Sequence, residues 1–272
     1  MVKLIDTHCH LDASVFNGDR DQVLLQAIAS KVGMIVVPAI TPKNYAQVAK
    51  LSQQNAHCCY ALGMHPMTID NVLPSDIARL DALVAETLMH ENKLVAIGEV
   101  GLDLFVTKQN KETQEYFFSE QLQIAKQYDL PVILHVRHAI DDVLKHLRRI
   151  KVNGGIAHAF NGSMQQAEAF ISLGFKLGFG GAMTYTRALK IRELAKNLPL
   201  EAIVLETDAP DMPPAWLAKK ERNSPKELLR VATVLADLRR IPLSQIIEIT
   251  SKNSIAVLPK LADLCTRVDA LH

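Results

Sequence analysis

At 272 residues, with 49% hydrophobic and 22% charged side chains, the chain is long enough for one α/β barrel of about 250 residues or for two smaller domains. No apolar run approaches the roughly 18 residues of a membrane span, and a formal net charge of +1 gives no overall attraction to DNA or anionic lipid. The first residues lack the basic and apolar stretches of a secretory signal. The four cysteines lack C-x-x-C spacing, which argues against a disulfide framework or thiolate zinc site and predicts a cytoplasmic protein.

Apolar runs of strand length alternate with helical periodicity along the whole chain. The first run ends in Asp6-Thr-His-Cys-His10 and predicts a strand over residues 2–8, followed by a helix over 19–31. The pattern predicts further strands over 34–38, 59–62, 94–97, 131–134, 155–157, 175–177 and 202–205, and further helices over 43–54, 75–90, 113–127, 140–149, 164–173, 187–196, 225–238 and 243–257. Such apolar strands indicate a parallel sheet covered by helices, and eight strands close a barrel. The sequence therefore predicts an α/β fold, a single (β/α)8 TIM barrel domain over residues 1–272.

Side chains that can bind a metal follow the predicted strands. On an extended first strand, His8 and His10 project from one face while Cys9 points away. Five later strands end in His65, Glu99, His135, His158 and Asp208. Because the active sites of such barrels gather at the carboxyl ends of the strands, these side chains are predicted to meet in one site.

The types of these side chains indicate which metals they would bind. Imidazoles and carboxylates without a thiolate suit Zn²⁺ or Mn²⁺, and Mg²⁺ less well because it prefers oxygen donors. The candidates outnumber the ligands of one catalytic zinc ion, which favours two divalent ions about 3.5–4 Å apart. Glu99 can bridge the two ions, since each of its oxygens can bind one.

Seven motifs stand in order along nearly the whole chain. They are Asp6-Thr-His-Cys-His10, Gly63-Met-His-Pro66, Gly98-Glu-Val-Gly-Leu-Asp103, Leu134-His-Val-Arg-His-Ala139, His158-Ala-Phe-Asn-Gly-Ser163, Leu205-Glu-Thr-Asp-Ala-Pro210 and Arg222-Asn-Ser-Pro225. In these motifs the chain resembles the TatD family of metal-dependent hydrolases, often described as deoxyribonucleases, within the amidohydrolase-like barrels. The resemblance implies one ion on His8, His10, Glu99 and Asp208, and a second on Glu99, His135 and His158. The chain departs from the family at Leu104-Phe105, which displace the aromatic residue that commonly follows Gly-Leu-Asp; this change lies at the rim of the site and bears on substrate preference.

The predicted reaction is hydrolysis by a water that bridges the two ions and whose pKa falls to about 7 on coordination. Asp208 is predicted to orient this water and take its proton, and His65 and Arg137 to stabilise the developing oxyanion. Arg137 could equally form a structural ion pair. Asp103 is interpreted as a residue that caps its loop or supports a ligand.

For the substrate, the resemblance favours phosphodiester bonds in DNA, cleaved from a strand end in the manner of a 3′–5′ exonuclease. One alternative is an amidohydrolase or esterase that acts on a small molecule or an aminoacyl ester, and another is a non-catalytic metal-binding protein. The expected partners are therefore DNA ends or a small phosphodiester or ester, with no membrane and no obligate protein partner. The other histidines are interpreted as surface residues: His57, His90, His138, His146 and His272.

Overall fold

The computed structural model describes residues 3–90, 92–105 and 110–270. One sheet contains, in chain order, β1 (Leu4–Asp6), β2 (Val32–Pro38), β3 (Cys58–Leu62), β4 (Leu94–Asp103), β5 (Val132–Arg137), β6 (Gly155–Ala157), β7 (Phe175–Phe179) and β8 (Ile203–Leu205). Each neighbouring pair from β1–β2 to β7–β8 is parallel. The backbone N–H of Thr7 donates to the carbonyl of Leu205 at 3.1 Å, which joins the first strand to the last. The fold is a (β/α)8 TIM barrel, as predicted.

The described α-helices are α1 (Arg20–Ala29), α2 (Tyr45–Gln54), α3 (Ser75–Leu88), α4 (Lys111–Gln127), α5 (Ile140–Arg149), α6 (Met164–Ser172), α7 (Leu189–Asn197), α8 (Leu228–Arg239), α9 (Leu243–Val257) and α10 (Leu261–Asp269). The first nine agree with the predicted helices to within three residues at each end. Helices α2 and α8 begin later than predicted because one-turn 3₁₀ helices that start at Pro42 and Pro225 precede them; proline suits the first turn, where the backbone N–H has no helical partner. Within the described ranges, no helix is both long and apolar enough to cross a bilayer.

Helix α10, which was not predicted, covers the amino-terminal end of the barrel. Lys3, just before β1, pairs with Asp269 at 3.2 Å, so the end of α10 lies where the first strand begins. The apolar face of α10, with Leu261 and Val268, packs in one buried cluster with barrel residues such as Met34. The barrel is therefore closed at this end, and a site can form at the opposite, carboxyl end.

Four strands end elsewhere than predicted, namely β1, β4, β5 and β7, and the differences in β1 and β4 place ligand candidates at the site. Strand β1 ends at Asp6, before the two histidines. Strand β4 continues to Asp103, so Glu99 lies inside the strand, next to a shift in the β4–β5 register between Ile97 and Val100. Beyond this shift the strands pair as far as Asp103 and Arg137, which makes this wall of the barrel taller than its neighbours.

Candidate metal centre

His8 and His10 share one face although the strand ends before them. The chain bends at Thr7, and beyond it the backbone N–H of Cys9 donates to the carbonyl of Val36 at 3.1 Å and that of His10 to the carbonyl of Ala209 at 2.8 Å. Cys9 is buried on the other side. The Nε2 atoms of His8 and His10 lie 3.3 Å apart, as the alternation of side chains predicts.

One oxygen of Glu99 faces these two histidines. Glu99 Oε2 lies 3.2 Å from His8 Nε2 and 3.5 Å from His10 Nε2. Asp208 Oδ1 approaches the same two nitrogens at 3.6 Å and 3.5 Å. Asp208 has a left-handed backbone conformation (φ 54°), which aspartate tolerates better than most residues. Its backbone N–H donates to the backbone carbonyl of His8 at 2.8 Å.

The other oxygen of Glu99 faces a second set of imidazoles. Glu99 Oε1 lies 3.0 Å from His135 Nδ1, 3.2 Å from His158 Nε2 and 3.2 Å from His65 Nε2. Glu99 is buried inside β4. Its carboxylate stands between His135 on β5 and the histidines that follow β3 and β6 on one side, and the side chains that follow β1 and β8 on the other. All six predicted metal ligands and His65 therefore meet at one centre; metal binding itself stays a prediction.

Asp103 fixes the ring of His135. Its Oδ2 lies 3.1 Å from His135 Nε2, and Glu99 Oε1 lies 3.0 Å from His135 Nδ1. Burial acts to lower the pKa of this ring, but hydrogen bonds to the two carboxylates outweigh it and raise that pKa. A metal ion at Nδ1 would replace the hydrogen there, while the hydrogen on Nε2 stays bonded to Asp103. Asp103 Oδ1 accepts a hydrogen bond from Phe105 N at 3.0 Å. Asp103 thus both caps its loop and supports a candidate ligand.

The ring of His65 faces the centre with Nε2, whereas the ring of His135 faces it with Nδ1. The backbone N–H of Met67 donates to His65 Nδ1 at 3.1 Å, so Nδ1 is an acceptor and the neutral ring carries its hydrogen on Nε2. Burial, the largest influence, lowers the pKa of His65 although Glu99 opposes this, and the ring therefore favours the neutral form. Although its Nε2 is as close to Glu99 as the ligand candidates are, His65 presents an N–H donor to the centre.

Glu206 lies behind His158. Its Oε1 accepts a hydrogen bond from the backbone N–H of Ala159 at 2.5 Å and lies 3.6 Å from His158 Nδ1. The carboxylate occupies the space beside Gly178 that any Cβ there would need. A carboxylate behind a metal-ligating histidine orients the ring, so Glu206 is placed to support His158.

The backbone around the centre is tied by buried polar side chains. Asp6 accepts hydrogen bonds from the N–H and hydroxyl of Thr207 at 3.0 Å and 2.6 Å, which fastens the end of β1 to the residue before Asp208. The side-chain amide of Asn223 donates to the carbonyls of Thr207 and Asp211 at 2.9 Å and 2.7 Å. Sequence reasoning assigned no role to Asp6 or Asn223, although both lie in the motifs that carry the resemblance.

Burial and the neighbouring charges compete over the protonation of the centre. Burial acts to lower the pKa of His158, but Glu99 and Glu206 outweigh it and raise that pKa well above its usual value. At His8 and Asp208 burial has the larger effect. It lowers the pKa of His8 to about 3, which keeps this ring neutral, as a metal ligand must be. Burial raises the pKa of Asp208 to about 6, although the charges of His158 and His10 oppose this. Burial also acts to raise the pKa of Glu99, but the neighbouring imidazoles outweigh it and hold that pKa well below its usual range.

The donor atoms fit divalent ions. They form three sets whose atoms lie within 4.8 Å of one another: His8, His10 and Glu99; His8, His158 and Asp208; and His65, Glu99 and His135. Neutral imidazoles with carboxylates suit Zn²⁺ or Mn²⁺. The hydrogen on His65 Nε2 removes that residue from the third set as a ligand, which leaves the six residues named from the sequence.

The centre lies at the floor of a pocket of about 1300 Å³. Arg137, His138 and Lys190 contribute cationic or titratable groups to its wall. The side chain of Arg137 is half-exposed, and its Nη1 lies 4.0 Å from Asp103 Oδ2, which is a loose contact. His138 is exposed, as predicted, and it also lines the pocket, because β5 extends to Arg137 and carries the next residue to the mouth.

Two of the histidines that were predicted to be surface residues are not exposed. His57 and His146 are buried, since each helps to pack an element against its neighbour: His57 Nδ1 contacts the carbonyl of Gly33 at 2.9 Å, and His146 Nδ1 contacts Ser119 Oγ at 2.9 Å. His90 is exposed, as predicted, and His272 lies outside the described residues.

Comparison with known proteins extends this description. The family model "TatD related DNase" matches residues 5–259. YjjV, an uncharacterized metal-dependent hydrolase of Escherichia coli (strain K12), is 42% identical over 253 residues, which cover 93% of this chain and 96% of the relative. Deoxyribonuclease TATDN3 of Homo sapiens is 32% identical over 273 residues, with 97% of each chain covered.

A solved structure agrees with the fold. The crystal structure of the TatD homologue YjjV from Escherichia coli K12 has a TM-score of 0.90 to this chain at 40% identity, and covers 95% of this chain and 98% of its own. The family match, the identities and the shared fold all extend over nearly the whole chain. The protein therefore belongs to the TatD family of metal-dependent hydrolases.

Proposed function

We propose that this protein is a divalent-metal-dependent nuclease that hydrolyses phosphodiester bonds at the ends of DNA strands. The observation that carries the proposal is the position of Glu99, whose two oxygens each contact a separate set of imidazoles at the floor of a large pocket. Two adjoining donor sets suit two-ion hydrolysis of phosphate esters. The name of the human relative, a deoxyribonuclease, supports DNA as the substrate.

The chain offers a complete ligand set. His8, His10, Glu99 and Asp208 would hold one ion, and Glu99, His135 and His158 the other. Bound divalent ions lower the pKa of a coordinated water toward about 7 and withdraw charge from phosphate oxygens. Zn²⁺ or Mn²⁺ suits these donors better than Mg²⁺, which prefers oxygen.

Asp208 accepts the proton of the attacking water. With a pKa raised to about 6 by burial, its carboxylate is a stronger base than an exposed aspartate and is still mostly ionised at neutral pH. The water oxygen bonds to phosphorus, the bond from phosphorus to the leaving sugar oxygen breaks, and that oxygen takes a proton from solvent.

His65 and Arg137 stabilise the negative charge that develops on the phosphoryl oxygens. His65 carries its donor at Nε2, because Met67 occupies the acceptor capacity of Nδ1. This nitrogen lies 3.2 Å from Glu99 Oε1, and it would donate to a phosphoryl oxygen once Glu99 binds metal. Arg137 can donate from a guanidinium that is only loosely paired with Asp103. Donors that are already oriented toward the reacting group stabilise a transition state without further reorganisation.

The shape of the site favours strand ends. The candidate metal ligands lie at the floor of a pocket. A single DNA strand can enter this pocket from its end more easily than a continuous duplex can. With a net charge of +1, few phosphates are neutralised on binding, and cleavage should weaken only moderately with added salt.

A cytoplasmic location also belongs to this proposal. All four cysteines are free, and Cys9, Cys58 and Cys59 are buried, which suits a reducing compartment. Fractionation of cells that express the full chain tests this location.

The activity is tested with purified protein loaded with Mn²⁺, Zn²⁺ or Mg²⁺. The compounds assayed are end-labelled linear single-stranded DNA, a blunt duplex, a closed single-stranded circle, a small phosphodiester and a carboxylic ester. Asp208→Asn is the inactive control. We expect the linear single strand to be shortened from an end and the circle to persist. Turnover of the carboxylic ester without DNA cleavage would overturn the proposal in favour of an esterase. Folded, metal-loaded protein that turns over none of these substrates would also overturn it.

A further inference from the structure

An exposed aromatic ring stands beside the pocket. Phe105, which follows β4, is 51% exposed, and its ring contacts two residues that line the pocket. The guanidinium carbon of Arg137 lies 3.8 Å from the ring centroid, and the ring of His138 meets it edge to face at 5.1 Å. The ring therefore presents an apolar surface, together with a cation, beside the pocket.

The backbone that carries this aromatic and cationic pair is hydrogen-bonded to the candidate metal centre. The backbone N–H of Phe105 donates to Asp103 Oδ1, while Asp103 Oδ2 contacts His135. The backbone N–H of Leu104 donates to the carbonyl of Arg137 at 2.9 Å, continuing the β4–β5 ladder. The attachment points of the ring and the guanidinium are therefore set relative to the candidate metal ligands, as a binding subsite requires.

The two groups have complementary chemistry. A guanidinium stacked on an aromatic face keeps its in-plane N–H groups free to bind phosphate oxygens. One face of Phe105 is covered by Arg137, and the exposed remainder of the ring can stack on a planar ligand. Stacking of a nucleobase on an aromatic side chain is independent of base identity, since every base has a π face.

We infer that Phe105, with Arg137 and His138, forms a nucleotide subsite in which Phe105 stacks on a base and Arg137 binds the attached phosphate. This inference rests on the proposed nuclease function and names the part of the substrate that the pocket recognises. A stacking subsite at this place makes an unpaired nucleotide the preferred ligand, because a paired base is already stacked within its duplex.

The test compares two probes that share a phosphate and differ in the base. Deoxyadenosine 5′-monophosphate and 2-deoxyribose 5-phosphate are titrated calorimetrically into metal-loaded protein. We expect the nucleotide to bind roughly 5- to 100-fold more tightly. Phe105→Leu, which keeps apolar volume but removes the ring face, should bring this ratio close to 1. Arg137→Gln should weaken the binding of both probes by the same factor, because both carry the phosphate.

Tyr116→Leu is the matched control, since Tyr116 is an exposed aromatic residue on α4 outside the pocket. It should keep the wild-type ratio, and thermal unfolding checks that each variant is folded. A wild-type ratio near 1, or an unchanged ratio in folded Phe105→Leu, would overturn the inference. If the protein cleaves DNA but binds the two probes equally, only the subsite is rejected. If the affinity ratio depends on Phe105 but no phosphodiester is cleaved, only the nuclease proposal is rejected.

Discussion

The backbone N–H of Met67 donates a hydrogen bond to Nδ1 of His65, and this bond distinguishes His65 from the other imidazoles at the centre. We predict that His65→Asn keeps the wild-type metal content and lowers kcat about 10²- to 10³-fold, the usual cost of losing one preorganised oxyanion donor. Metal analysis and steady-state kinetics on the same sample test this. Loss of an ion from the folded variant would show that His65 is a ligand instead.

The two oxygens of Glu99 predict that the two ions can be removed separately. His8→Ala should deplete the ion on the Oε2 side and His135→Ala the ion on the Oε1 side, because each ring contacts one oxygen. Metal content after equilibration with excess Mn²⁺ or Zn²⁺ should then fall to about one ion per chain in each variant. His90→Ala, at an exposed position, is the control. Folded wild-type protein that retains no ion under these conditions contradicts the prediction.

Asp208→Asn should keep the fold and at least one metal ion but lose turnover about 10²- to 10⁴-fold, the contribution of a general base. Asparagine matches the volume of aspartate and keeps one oxygen for coordination, but it cannot accept the proton of water. Glu206→Gln is the comparison: it should first lower thermal stability or metal affinity, since Glu206 lies behind His158. An Asp208→Asn enzyme with its metals bound and wild-type turnover would exclude Asp208 as the base.

Thr207→Val tests how the barrel closes at the site. Valine keeps the shape of threonine but removes the hydroxyl that donates to buried Asp6 at 2.6 Å. Loss of a buried hydrogen bond to a carboxyl group should reduce the free energy of unfolding by about 1–3 kcal/mol, measured by urea denaturation after metal chelation. Thr233→Val, on the exposed side of α8, should change it by less than about 0.5 kcal/mol. Equal effects of the two substitutions would remove the role assigned to Asp6 and Thr207.

Acid should destabilise the protein through His146. Burial, together with nearby cations, lowers the pKa of this imidazole although Glu115 opposes the shift, so the folded state binds fewer protons here than the unfolded state. Its contribution to stability is present above the unfolded pKa of about 6.5 and is lost as the pH falls below it toward the folded pKa. His146→Gln should therefore lose less stability than the wild type between about pH 7.5 and pH 5.

Urea denaturation of chelated protein at several pH values measures this difference. His90→Gln, which replaces an exposed histidine, should follow the wild-type curve throughout. If His146→Gln and wild type keep a constant difference in unfolding free energy across the range, the buried ring does not contribute to the acid sensitivity.

The sequence by itself determined the barrel and which side chains meet at its candidate metal centre. The spacing of apolar residues along the chain shows which side chains lie on a buried face. The strands and the first nine helices could therefore be predicted from neighbouring residues. The carboxyl ends of parallel barrel strands meet by geometry, which is why His8, His135 and Asp208 could be assigned to one site although they are distant in the chain. The apolar period in α10 was equally local and was not recognised.

Tertiary structure alone decided how these groups face one another. Glu99 lies inside β4 rather than at its end because pairing with β5 continues to Asp103. The hydrogen on His65 depends on Met67, and that on His135 depends on Asp103. The contact of Phe105 with Arg137 requires two neighbouring strands in one register. These relationships depend on distances between atoms that only the closed barrel brings together, and periodicity along the sequence contains no information about them.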